Sequence, residues 1–306
     1  MVEPGGLGRR RPTPGQIARR RLVALVLLAG LAAGGVWAAT AAVRSGGGAD
    51  KKAAPSTTAA APAAPRTYRI VFPEGFTRAE MAERITAVDK IARRKGIHPR
   101  LAASEYLRLT ASSTLAGKYA GDGKRRSLEG FLFPSTYELF DRDGASRLVA
   151  DQLATFNKEW AKLDLRYARS KNLTPYDVLI IASMIEAEVR VPRERPLVAA
   201  VIYNRLHARM PLGIDATLRY GLSIPPTQAI TESQLHSSSP YNTRNRQGLP
   251  PTPIGSPGLA SMQAAAHPAK VDYLYFVRKA DCKSHFFTAS EQAFLDYPRT
   301  GLNKKC

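Results

Sequence analysis

Among 306 residues there are only two cysteines, Cys282 and Cys306, too few for a disulfide framework. They allow one bridge tying the C-terminal tail to the segment before it, or two unpaired thiols. The five histidines (His98, His207, His236, His267, His285) are scattered without ligand-like spacing, so no metal site is expected; no cofactor is expected either. Acidic residues are scarce as well. The chain has 25 Asp+Glu against 45 Lys+Arg, a formal charge of +20. Such a surface suits nucleic acid, anionic lipid or an acidic wall polymer, and composition alone does not choose among them. No internal repeat is visible.

Location narrows the choice. Residues 22–43 form an uncharged Leu/Ala/Val/Gly run, long enough to cross the roughly 30 Å hydrocarbon core of a bilayer. Arg9-Arg10-Arg11 and Arg19-Arg20-Arg21 precede it, so the positive-inside rule predicts a cytoplasmic N-terminus and an exported remainder, a single-pass protein of the cell membrane. A cleaved signal peptide is the rival, with Ala39-Thr40-Ala41 imitating a cleavage site, although its apolar region is normally only about 7–15 residues. No cysteine lies near the run, which excludes a lipoprotein anchor. Export removes cytoplasmic nucleic acid as a partner and favours the membrane surface and the wall.

Composition divides the rest. Residues 1–21 read as a disordered cytoplasmic tail and 44–66 as an Ala/Pro/Gly linker. Thr67-Tyr68-Arg69-Ile70-Val71-Phe72 alternates like a strand. Pro73-Glu74-Gly75 turns the chain, and Thr77 with Glu80 forms a capping box for a helix placing Met81, Ile85 and Val88 on one side. A further helix is predicted over residues 99–110, a strand within 127–139, and one helix from Gly144 to about Arg169. Tyr273-Leu274-Tyr275-Phe276-Val277 and His285-Phe286-Phe287-Thr288 read as a C-terminal hairpin. The fold class is α+β: a small unit at 67–140 and a mostly helical unit at 141–306.

The most informative stretch is Leu179-Ile180-Ile181-Ala182-Ser183-Met184-Ile185-Glu186-Ala187-Glu188. Thr174, Pro175 and Asp177 are a helix start, and from Val178 onward the helix is apolar almost all round, hence buried. A carboxylate on such a helix is expected to hold its proton more tightly, because burial disfavours its charged form. That property suits a general acid near neutral pH. Glu186 shares a face with the small Ala182 and Ser183, which leave room for a ligand. Glu188 points elsewhere, and its replacement is expected to be mild. A structural role for Glu186, at the helix end or tied to Arg190, remains the alternative.

A second helix follows, Arg193-Glu194-Arg195-Pro196-Leu197-Val198-Ala199-Ala200-Val201-Ile202-Tyr203-Asn204-Arg205-Leu206. Then come Met210-Pro211-Leu212-Gly213-Ile214-Asp215-Ala216-Thr217-Leu218-Arg219-Tyr220-Gly221, Ser239-Pro240-Tyr241-Asn242-Thr243, Gly248-Leu249-Pro250-Pro251-Thr252-Pro253-Ile254 and Pro257-Gly258-Leu259-Ala260-Ser261. This ordered succession resembles the YceG-like (MltG) family of membrane-bound endolytic murein transglycosylases, from about Tyr68 to Thr288. The segment Ser127-Leu128-Glu129-Gly130-Phe131-Leu132-Phe133-Pro134-Ser135-Thr136-Tyr137-Glu138-Leu139 also matches.

The resemblance implies a lytic transglycosylase, a carbon–oxygen lyase that cuts nascent glycan internally and limits strand length. It places the catalytic glutamate on Glu186, with departures at Ala187 and Val189, where the family commonly carries Lys and Thr. It also implies a LysM-like character for 67–140 and peptidoglycan strands as the partner, with peptidoglycan synthases and division proteins as further candidates. One carboxylate suffices for this chemistry. It protonates the glycosidic oxygen, then takes the proton of the muramoyl C6 hydroxyl as that oxygen closes a 1,6-anhydro ring. Asn204, Asp215, Thr217, Tyr220, Tyr241, Asn242 and Thr243 are the candidate sugar-positioning residues. Glu129 either lines the groove or makes a structural hydrogen bond at the junction of the two units. A membrane-anchored wall-binding scaffold without turnover is the alternative from another class, and a two-carboxylate hydrolase a third.

Overall fold

The computed structural model describes residues 66–297. The expected span at 22–43, its tail and linker, and Cys306 lie outside the described residues. Among those described, no helix is long and apolar enough to cross a membrane.

Strand β1 (Thr67–Val71) pairs antiparallel with β2 (Thr136–Phe140), Ile70 facing Tyr137 in the register. Both bury alternate residues, which turns Tyr68, Ile70, Tyr137 and Leu139 inward. Between them run α1 (Arg78–Arg94), α2 (Ala103–Thr110) and α3 (Leu115–Ala120). The predicted capping box is present: Thr77 Oγ1 accepts from Glu80 N, and the Glu80 carboxylate accepts from Thr77 N. The second helix starts four residues later than the sequence suggests.

The single helix predicted from Gly144 to Arg169 is two, α4 (Ala145–Trp160) and α5 (Arg166–Ser170). Asp164 makes the break. Its carboxylate accepts from Arg166 N and Nε at 3.0 Å, offering the backbone a turn in place of a continuous helix.

The central helix is α6 (Pro175–Glu188). Thr174 and Asp177 cap it reciprocally, Pro175 occupies its first turn, and every residue from Val178 to Ile185 is buried. It packs against α7 (Arg195–His207), α8 (Asp215–Gly221) and α10 (Leu259–Ala266), whose run of alanines permits close approach. A short α9 (Glu232–Leu235) lies between. Ser183 ties the following loop to α6, donating to Ile180 O at 2.7 Å and accepting from Ile254 N at 3.0 Å. The hairpin of β3 (Tyr275–Arg278) and β4 (His285–Thr288) matches the predicted strands closely, and α11 (Glu291–Asp296) closes the described chain.

One hydrophobic cluster runs from Tyr68 through α6 to Ala266. Tyr119, Phe131, Phe156 and Trp160 form its aromatic centre, with ring centroids 5.1–5.9 Å apart. Residues 67–140 and 141–297 therefore share a core, which holds the β1–α1 turn against the C-terminal end of α6.

Candidate active site

The two carboxylates ending α6 stand in different surroundings. Glu186 Oε2 accepts from Gly258 N at 3.0 Å, and Arg195 Nη2 lies 3.6 Å from Oε1. Gly258 donates to the carboxylate and Arg195 forms an ion pair with it, so Glu186 has the structural ties that its alternative reading foresaw, but to Arg195 rather than Arg190. Glu188 projects from another face, as helical geometry requires. Its surroundings come from α8 and the hairpin: Asp215, the Ala216 N–H, Arg278 and His285. Burial raises its proton affinity first. Arg278 opposes this, Asp215 adds to it, and His285 and the Ala216 N–H lower it. The residue still keeps some accessible surface. Glu188 is thus a carboxyl group whose proton affinity is raised by burial.

The candidate sugar-positioning residues gather around α8 but are largely engaged with one another. Thr217 Oγ1 donates to Ile214 O at 2.7 Å and lies 3.0 Å from Thr243 Oγ1, which accepts from Ile214 N. Asn242 is wholly buried and donates to Leu235 O and Ser237 O. Asn204 donates to Val271 O and Tyr273 O, fixing the approach to β3. It lines a shallow depression of about 680 Å³ with Tyr167 and Asp272, and no α6 carboxylate borders that depression. Tyr220 and Tyr241 meet edge to face at 5.2 Å, their hydroxyls bonded to Glu129 and Thr252. Asp215 pairs with Arg244 at 2.6 Å, both roughly half exposed. Asp215 is the member of this set that acts on Glu188.

Glu129 makes the structural bond at the junction. Only 3% exposed, it accepts from Arg78 N at 3.1 Å and from the Tyr220 hydroxyl at 3.0 Å. Burial pushes its carboxyl from 4.5 up to about 7, against the pull of Tyr220 and Arg78. The folded state then binds more protons than the unfolded chain between those values, so this contribution to stability is full below pH 4.5 and lost as pH rises through 7. The span corresponds to at most about 3 kcal/mol. Glu129→Gln should therefore match wild type near pH 5 and exceed its stability at pH 8. A wild-type-to-variant difference in denaturant midpoint that is equal at both pH values would show that Glu129 does not titrate there.

Sequence reasoning passed over three groups. From sequence alone Glu74 belongs to a turn, Arg195 is an ordinary helix residue, and Glu194 stands at the start of that helix. Glu194 instead ends a 3-10 turn (Pro192–Glu194) and is 5% exposed. It accepts from His285 Nδ1 at 2.7 Å and from His285 N at 3.1 Å, clamping the hairpin to the start of α7. A charged residue just before an apolar helix was the available signal.

The profile of the YceG-like family matches residues 49–299. The chain belongs to that family. It is 34% identical over 157 residues to an endolytic murein transglycosylase of Bacillus subtilis, covering 51% of this chain and 43% of that protein. A protein of the same name from Streptococcus pneumoniae is 37% identical over 164 residues, covering 51% and 29%. The matched region thus spans less than half the length of these curated relatives. A crystal structure of a YceG-like protein from Listeria monocytogenes shares the fold, with a TM-score of 0.61, 27% identity and 75% of each chain covered. The mixed, mostly helical architecture with two small antiparallel sheets is therefore that of a YceG-like domain.

Proposed function

We propose that this chain is an endolytic lytic transglycosylase of peptidoglycan, and that Glu188 is its acid and base. The observation carrying the assignment is the position of Glu188 at the end of α6, partly buried and in the field of Arg278, Asp215 and the Ala216 N–H. The names of its relatives supply the substrate class. A carboxyl group whose proton affinity is raised by burial protonates the glycosidic oxygen as the bond from C1 breaks. The resulting carboxylate, facing Arg278, then takes the proton from the C6 hydroxyl while O6 bonds to C1. Acid and base are restored in one residue, the 1,6-anhydro ring closes, and no water enters.

Anchoring through residues 22–43 would confine the cut to glycan near the membrane, with the linker setting the reach. The order of one strand, helices and a pairing strand at 67–140 supports the LysM-like reading of that unit. Product masses test the chemistry. Uncrosslinked glycan digested by the protein should yield fragments one water lighter than hydrolytic ones. Reducing muramic ends alone would replace the transglycosylase with a hydrolase, and binding without any products would leave the wall-binding scaffold.

A further inference from the structure

The turn between β1 and α1 brings another carboxylate to the end of α6. Gly75 N donates to Ser256 O at 2.8 Å and Ser256 N donates to Phe76 O at 2.9 Å, so residues 74–76 lie along the 255–258 loop. A Cβ at position 258 would run into the Glu74 carboxylate, which therefore lies directly against Gly258. The same Gly258 donates its N–H to Glu186, which faces Arg195. Burial and Glu186 raise the proton affinity of Glu74, and Arg195 lowers it, which places all three groups in one electrostatic field. The Glu186 and Arg195 side chains are 8% and 15% exposed, whereas Glu74 is only partly buried and reaches solvent. Among the described residues, Ser256 Oγ is buried without a partner. Arg78 and Glu80, on the same turn, are engaged elsewhere, with Thr110 and Thr77.

We propose that Glu74, together with Glu186 and Arg195, forms a sugar-binding subsite beside the acid, so that the N-terminal unit supplies a specificity-determining residue to the catalytic cleft. Carboxylates accept from sugar hydroxyls, and a guanidinium donates to the carbonyl of an N-acetyl or lactyl group. Position along α6 supports the division of labour. Residues 186 and 188 differ by about 3 Å of rise and roughly 200° of rotation. A glycan strand crossing the helix end would therefore meet Glu188 on one flank and the Glu74 group on the other. The inference rests on the transglycosylase reading only for the identity of the ligand.

The test uses full-length protein in detergent micelles and uncrosslinked glycan strands. Binding is measured on the Glu188→Gln chain, where cleavage does not intervene, and kinetics on the otherwise unaltered chain. Glu74→Gln should weaken binding and raise KM about tenfold, the scale of one charge-assisted hydrogen bond, with kcat within about threefold and the pH profile in place. Glu74→Asp, which keeps the charge but shortens the reach, should fall between. Unchanged binding in Glu74→Gln overturns the subsite, as does a complete lack of binding by the Glu188→Gln chain. A collapse of kcat with a displaced acid limb also overturns it, placing Glu74 in proton transfer instead. If the unaltered chain binds glycan without cutting it, the transglycosylase reading fails while the binding comparison still decides the subsite.

Discussion

Glu188→Gln should reduce glycan cleavage by at least 10²-fold and up to about 10⁴-fold, the range for removal of a general acid, with fold and glycan binding retained. Gln keeps the shape and the hydrogen-bonding capacity but carries no transferable proton. Glu186→Gln should behave differently. It still accepts from Gly258 N and removes a charge facing Arg195, so the expected loss is confined mainly to substrate binding, about tenfold in KM. The two variants separate the competing assignments. The family resemblance read from the sequence implies Glu186 as the acid, whereas the proposal rests on burial of Glu188 in the field of Arg278 and Asp215. An inactive Glu186→Gln together with a Glu188→Gln that cuts near the wild-type rate would return the role to Glu186. Equal loss in both, with lowered thermal stability, would mean that the end of α6 has been unfolded.

The features legible in the sequence are those that local rules determine. The capping box at Thr174, the proline after it and the unbroken apolar run specify α6 without reference to the rest of the chain. The hairpin strands were equally local, since alternation and aromatic content mark them. What escaped depends on residues distant in sequence. Nothing near Glu186 announces that Gly258 and Arg195 will bind it, and nothing near Glu188 announces Arg278. The helix that breaks at Asp164 failed for a subtler reason: apolar periodicity continues through a break that one side chain makes. Thr217, Asn242 and Thr243 carry sugar-binding chemistry, but the same donors and acceptors hold the α8 loops together. A polar residue in a motif serves the scaffold as readily as the ligand, and only its partners in space decide.

The second large effect belongs to Glu194. Its carboxylate and His285 are 6% and 2% exposed in their side chains, and they are joined by two hydrogen bonds across 91 residues. Glu194→Ala leaves the imidazole and the His285 N–H buried without their acceptor. Each buried donor left without its acceptor costs about 1–3 kcal/mol, so the two together cost about 2–6 kcal/mol. At roughly 2–4 °C per kcal/mol for a unit of this size, the melting temperature should fall by about 10 °C. Activity should fall further than stability alone explains at a temperature where the variant is still folded. The reason is that His285 holds β4 against α7, and β4 pairs with β3, whose last residue, Arg278, faces Glu188. A loosened hairpin withdraws the cation that stabilises the carboxylate after proton transfer, so kcat should drop while KM changes little. The double variant Glu194→Ala, His285→Ala removes both partners and should cost at least 1 kcal/mol less than the sum of the single changes, since neither is then left stranded. Additive losses would show the two side chains to be independent. A normal kcat in folded Glu194→Ala would show that the hairpin does not set the field at Glu188, leaving burial and Asp215 to hold its proton.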